Sequence, residues 1–520
     1  MATIAGITGN QYVPGTKTYE ANKYQYATST YGVERDLNPG LLIQPKTKED
    51  IALTLKYAKE RKIAVAIKTG GHQYSGASST SAPNIQLDLE HSFRGADDRT
   101  IFRNEKDGKT YARTSVSWSL GEFNAWLTKN HCFVPHGQCT EVHLGGHAQT
   151  GGYGQLARSF GLLGDHVLSL EILDTDGNSK EVTKATDPDL FWAFLGGSPG
   201  NLGVLTHLTL QVHRDEDYNG SRGMKALYFY DPKTLKRLVD ILAEMSDNEN
   251  FPRNYDFCVS VLSSAFPLLD LWPDLDQVMA RTHPELYGKN GLIAWPRTII
   301  VYAQWVPFES GDECDMSWFD RIKEGADHLL GDSSVQEKPV SQLTGEWIFR
   351  NVREFEHPYV KRTYVTNSRT LAKDGWAEWV TDRIDAIVRP EHNRCWLSAQ
   401  LQCFGGKYSQ FAQNADNGTA FSWRDTTIGC TMDCFHEEET KTHAEDWQKV
   451  NDEEAIGPRG VFSKEDRRVL WGSYGDWDLD NVWRCYYENE EKYERLQQIR
   501  KRADPYGIFT PNPFCVKRAP

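Results

Sequence analysis

The chain has 520 residues, 39% hydrophobic and 12% aromatic, which is enough apolar surface for two or three cores and too much for a disordered chain. Its 58 Lys and Arg against 72 Asp and Glu leave a net charge of −14 with no basic block, which argues against a nucleic-acid partner. No stretch approaches the ~20 apolar residues of a membrane span, no basic and apolar leader opens the chain, and the 10 cysteines contain no CxxC pair, so a soluble, intracellular protein that does not touch the membrane is expected.

"LLIQP" (41–45) reads as a short buried strand. Thr47, with Asp50 three residues on, reads as a capping box opening a helix to about Arg61, and "AVAIK" (64–68) as a second strand. This strand–helix–strand unit runs directly into "KTGGHQYSG" (68–76). Further strands are expected at 84–89, 111–117 and 203–212, and a hairpin at 167–183 turned at Asp176-Gly177. Helices are expected at 121–130 and 188–197. From about 216 the texture changes to aromatic and charged segments with longer helical patterns, including "PKTLKRLVDILAEM" and "GWAEWVTDRIDAIV". There "CWLSAQLQCFGG" (395–406) and "TTIGCTMDCF" (426–435) look like strands of a second sheet. The tail 486–509 reads as one charged helix stopped by Asp504-Pro505.

The chemistry lies in the glycines. A Gly-rich loop after a strand can approach a ligand closely and turn successive N–H groups onto a phosphate. "TGGHQYSG" has that form, with Thr69, Gly70, Gly71, His72, Gln73, Tyr74, Ser75 and Gly76, but it matches neither the Walker nor the GxGxxG pattern, and alone it reads equally well as a tight turn. A second stretch (135–165) repeats GGH at Gly145, Gly146 and His147, followed by Gly151, Gly152 and Gly154, and a third run (196–208) again places glycines before a strand. Three such loops favour a dinucleotide held largely by backbone amides. His136, Cys139, His143 and His147 could instead supply a zinc site, but Gly145, Gly146 and the preceding Pro135 argue against the helix that would align them.

The four stretches "KTGGHQYSG", "GQCTEVHLGGHAQTGGYG", "LLGDHVLSLEILDTDG" and "DPDLFWAFLGGSPGNLGVLT", in this order, resemble the FAD-binding domain of the p-cresol methylhydroxylase and vanillyl-alcohol oxidase flavoproteins, especially the berberine bridge enzyme-like oxidases. The closing "ADPYGIF" resembles the family's ending. The likeness implies an α+β fold: a two-part FAD-binding domain (1–215, returning at 471–520) and a substrate domain (216–470) with an antiparallel sheet covered by helices. It implies FAD bonded covalently through His72 to the flavin 8α methyl and through Cys139 to ring carbon 6, with the glycine loops on the pyrophosphate and backbone near Val204 at the isoalloxazine edge. The expected reaction is hydride transfer from a small alcohol-like or secondary-metabolite substrate, with O2 as acceptor and H2O2 as product. The alternatives are a carbohydrate oxidase or a catalytically silent flavin carrier.

Two departures from the family pattern follow. Val142 keeps a small residue three after the cysteine, but His143 stands where glycine is usual, to crowd the oxygen side or donate a proton. The family's "YxNY" segment is replaced by "SYGDWDLD" (473–480), which leaves Tyr474, Asp476 and, in "LQCFGG", Gln402 as candidate bases.

Overall fold

The computed structural model describes residues 2–23, 37–73, 76–263, 297–328, 330–347, 358–389, 394–454, 483, 485–512 and 515–520. Among them, no helix is long and apolar enough to cross a membrane.

The first sheet holds β1 (Asn10–Tyr12), β2 (Leu41–Gln44), β3 (Val65–Lys68) and β4 (Ile85–Asp88) in the order β1-β2-β4-β3. The last three are parallel, because the helix Lys48–Arg61 carries the chain back over the sheet between β2 and β3. Its capping box forms as the sequence dictates, with Thr47 accepting from the Asp50 N–H. Every residue of β2 and β4 is buried, which explains their unbroken rather than alternating burial.

The second sheet is antiparallel and contains β5 (Arg99–Arg103), β6 (Thr110–Ser115), β7 (Cys132–Phe133), β8 (Val167–Leu173), β9 (Ser179–Thr183) and β10 (Val204–Arg214). Its order is β5-β6-β10-β8-β9, with β7 paired to β10. The β8–β9 hairpin turns at Asp174–Asn178, where Gly177 takes φ 82°.

The third sheet has β11 (Arg222–Phe229), β12 (Tyr255–Leu262), β13 (Thr298–Trp305), β14 (Gln336–Glu337), β15 (Tyr359–Thr366), β16 (Cys395–Cys403) and β17 (Ile428–His436). Its order is β14-β11-β13-β12-β16-β17-β15, again antiparallel. Helices Pro232–Asp247 and Trp376–Val388 pack against each other and on β16, and Lys441–Glu454 covers β15 and β17. With these helices on one face, the other face of the sheet turns Gln400 and Asp433 toward residues 137–140.

The C-terminal helix is shorter than its charge pattern suggests. It runs Glu490–Ala503, starts where Asn489 accepts from the Lys492 N–H, and stops at Asp504, whose carboxylate accepts from the Ile508 and Phe509 N–H groups. Arg495 and Arg502 reach Asp189, and the Ile508 carbonyl accepts from Val65 N–H at the start of β3.

Candidate functional site

The loop after β3 is anchored at its root. Lys68, the last residue of β3, puts Nζ 3.2 Å from Asp88 at the end of β4 and 2.6 Å from Glu90. Burial disfavours the ammonium, but these carboxylates outweigh it and raise its pKa. Gly70 follows in contact with the second loop: a Cβ there would lie 2.2 Å from His143 Nδ1 and 2.7 Å from the Glu141 carbonyl. Gly71 takes φ 62°, and the loop closes where Gly76, at φ 86°, donates to the Gln73 carbonyl. His72 is half-buried between them. Tyr74 and Ser75 lie outside the described residues.

In the second loop the structure corrects the expectation that its glycines exclude a helix. Leu144–Gln149 forms a short helix containing both Gly145 and Gly146. Tertiary bonds override the poor propensity of glycine: Leu144 N–H reaches the Trp118 carbonyl and Gly145 N–H that of Val116. A Cβ on Gly145 would meet Thr69 at 2.8 Å, whereas one on Gly146 would have nothing within 4 Å. Gly146 therefore faces open space, whereas Gly145 is packed against Thr69.

The histidines of this stretch turn inward. His147 Nε2 accepts from Gly137 N–H at 2.9 Å, and burial pushes its pKa down to about 3, so the ring is neutral. His136 meets Asn124 Oδ1 and the Gly137 carbonyl, and His143 Nδ1 the Glu141 carbonyl at 3.0 Å; burial lowers the pKa of both. Among the described residues no three His, Cys, Asp or Glu side chains gather to hold a metal ion.

Gly151 and Gly152 do not form a ligand wall. Added Cβ atoms would strike the Phe421 ring at 2.3 Å and Leu163 at 2.6 Å, so both serve close packing at positive φ. Gly154 likewise sits against the His136 carbonyl, at 1.8 Å from a hypothetical Cβ. Val204 is buried and paired with Leu173 at the head of β10; its neighbours Gly203 and Leu205 line the cleft in its place.

Two cavities meet at this site. The first, about 1150 Å³ of open cleft, is walled by Thr69, Gly70, Gly71, His72 and Gln73 on one side and His143, Gly145, Gly146 and His147 on the other. The second, about 1060 Å³, lies between the loop 137–140, with Gln138 and Cys139, and the inner face of the third sheet, where Ser260, Ser398, Gln400, Thr431 and Asp433 project. His72, Val142, His147, Tyr153 and Lys361 line both. The structure thus brings His72 and Cys139 to one junction from loops 67 positions apart.

Gln402 is not at the cavity surface. It is 2% exposed and its Nε2 donates to the Gly154 carbonyl at 2.5 Å, so Gln400, two residues back on the same face of β16, is the amide that lines the space. Tyr474 and Asp476 lie outside the described residues. What the sequence reading missed is Lys361 and Asp433, which stand directly opposite each other on β15 and β17 with Nζ 3.3 Å from Oδ1. Burial opposes the Lys361 charge; Asp433 outweighs it and raises the pKa, with Tyr153 and Cys139 adding to the effect. A single charged residue inside the otherwise uncharged "TTIGCTMDCF" stretch was the available signal.

Residues 39–183 match the family described as FAD binding domain. Berberine bridge enzyme-like 12 of Arabidopsis thaliana is 36% identical over 170 residues, 32% of this chain and 31% of that protein. The aclacinomycin-N/aclacinomycin-A oxidase of Streptomyces galilaeus is 23% identical over 506 residues, 91% of this chain and 84% of the relative. The structure of glucooligosaccharide oxidase from Acremonium strictum, a protein with a 6-S-cysteinyl, 8α-N1-histidyl FAD, overlays with a TM-score of 0.70 at 14% identity, covering 98% and 97% of the two chains. The stretch shared with the Arabidopsis protein spans about a third of that relative's length. Fold and cleft define an α+β protein with an FAD binding domain. More particularly, over about a third of its length the chain is similar to berberine bridge enzyme-like proteins, and its fold is that of the glucooligosaccharide oxidase.

Proposed function

We propose that this chain is an oxidase carrying FAD bonded to both His72 and Cys139, which oxidises a hydroxyl-bearing small molecule and passes the electrons to O2. The observation that carries the reading is the shared wall of the two cavities: His72 stands in it, and Cys139 lines the space beyond. The residues present suit a dinucleotide. Gly146 leaves the cleft clear, and the glycine-rich turn at 70–71 brings backbone to its edge. When bound, the flavin supplies a two-electron acceptor.

The chain's own groups supply the rest. Asp433 places its carboxyl group in the second cavity, with Lys361 Nζ 3.3 Å from Oδ1. In this reading the substrate hydroxyl gives its proton to Asp433 as the hydride leaves the adjoining carbon. His143, buried and neutral, acts on the first cleft by bulk and not by charge. A carbohydrate is the second reading for the substrate, favoured by the amide and hydroxyl lining of Gln138, Gln400, Ser398 and Thr431.

Acid-precipitated protein should stay yellow, and trypsin should release the His72 and Cys139 peptides cross-linked through a single flavin mass; colour lost wholly to the supernatant overturns the tethers. Under nitrogen, a panel of oligosaccharides and benzylic alcohols should bleach the protein, with colour and H2O2 returning in air. A yellow protein that no member bleaches points to the silent carrier. Asp433→Asn should keep the colour but slow anaerobic bleaching by about 10²–10⁴-fold, the usual worth of a general base.

A further inference from the structure

Four glutamine side chains close a ring beside Cys139. Gln155 Nε2 donates to Gln138 Oε1 at 2.6 Å, and Gln138 Nε2 donates to Gln400 Oε1 at 2.7 Å. Gln400 Nε2 donates to Gln402 Oε1 at 3.4 Å, and Gln402 Nε2 to the Gly154 carbonyl at 2.5 Å. Gly154 and Gln155 are neighbours in the chain, so the bonds return to their start. Every amide donates in the same sense around the ring, an arrangement in which each bond polarises the next. Gln155 and Gln402 are 4% and 2% exposed, while Gln138 and Gln400 present the ring to the second cavity.

The ring is not needed to build the sheet. β16 already has its backbone ladder to β12 and β17 on either side. What the ring adds is a bridge between the third sheet and the loop that carries Cys139. The first domain holds that loop from behind, through Gly137 N–H on His147 and Gly121 N–H on the Thr140 carbonyl. Gln400 holds it from the substrate side, one residue before the cysteine.

We infer that the glutamine ring positions Cys139, docking its loop on β16 so that the thiol stays in the cavity wall, and that it is required for the second flavin bond but not the first. This rests on the reading that Cys139 bonds the flavin. In that reaction the Cys139 thiolate adds to ring carbon 6, the hydrogen on that carbon leaves as a proton, and the electron pair passes into the flavin. O2 then takes up two electrons and two protons to give H2O2, so thiol, C–H and O2 become thioether and H2O2.

The test compares the wild type, Gln400→Leu and Gln400→Glu as purified holoproteins, by peptide mass after digestion. Leu removes both ring bonds at position 400; Glu keeps the acceptor for Gln138. The flavinylated fraction of the Cys139 peptide should fall at least tenfold in Gln400→Leu and return in Gln400→Glu, with the His72 peptide flavinylated in all three. That retained His72 bond reports that the variant folds. Full attachment at Cys139 in Gln400→Leu overturns the inference. A wild-type Cys139 peptide without flavin removes the bicovalent reading itself, and the ring is then judged by amide exchange over residues 137–142. Exchange there should be at least tenfold faster in Gln400→Leu, and unchanged exchange overturns the positioning role.

Discussion

Glycines at this site divide into those that leave room and those that use it up. Gly146 borders the cleft with empty space where a side chain would go, whereas Gly154 has a carbonyl at 1.8 Å from that point. Gly146→Val should therefore project into the cleft and abolish flavin uptake with little change in the melting temperature of the flavin-free protein. Gly154→Ala should destabilise the fold itself, by about 1–3 kcal/mol as for overpacked cores, and show it in a urea titration. The sequence makes the glycines legible as a group but cannot sort them, because spacing alone does not say whether a missing Cβ faces ligand or backbone. The same limit governs the glutamines. Alternation puts Gln400 and Gln402 on one face of β16, and only the approach of Gly154 decides which of them is covered.

Elements with local signals were the readable ones. The capping box at Thr47, the Asp-Gly turn of the β8–β9 hairpin and the amphipathic helices Pro232–Asp247 and Trp376–Val388 each follow from residues within a few positions. β12 and β13 have every residue buried and so show no alternation, and β11 and β15 are held by partners far along the chain. Between elements the second sheet is bound by charge. Glu171 on β8 accepts from Arg113 on β6 at 2.6 Å and from Lys48 on the first crossover helix at 3.1 Å. Burial works against its ionisation, yet these donors, with His207, bring its pKa down from 4.5 to about 2. A carboxylate depressed in the folded state stabilises above its unfolded pKa, and that stability is lost as pH falls. Glu171→Gln should thus lower the melting temperature at pH 7, and the gap from wild type should close progressively between about pH 5 and pH 2, followed by circular dichroism.

At the scale of the molecule, the residues that carry His72 are held by the far end of the chain. Asn512 Nδ2 lies 3.0 Å from the Ala77 carbonyl and 2.8 Å from that of Ser79, just beyond the His72 loop. The Pro511 carbonyl accepts from Thr80 Oγ1 at 2.9 Å, and the Phe509 carbonyl accepts from Asn201 and Arg500, each at 3.0 Å. These bonds are largely shielded from water. The ion pairs of Asp189 with Arg495 and Arg502, by contrast, are roughly half exposed and worth ~0–1 kcal/mol. The two kinds of contact separate under mutation. Asp189→Asn should leave flavin content and melting temperature nearly unchanged. Asn512→Ala strands two carbonyls, at about 1–3 kcal/mol for each that stays dry, and should lower the flavinylated fraction of the His72 peptide. Truncation after Ala503 removes the clamp altogether, along with the strand-edge bond to Val65. The truncated chain should lose the His72 bond while slow amide exchange persists in β12 and β13, whose ladders contain no residue of the tail. Retention of covalent flavin at the wild-type level in that protein would show that the His72 loop holds its shape without the C-terminal segment.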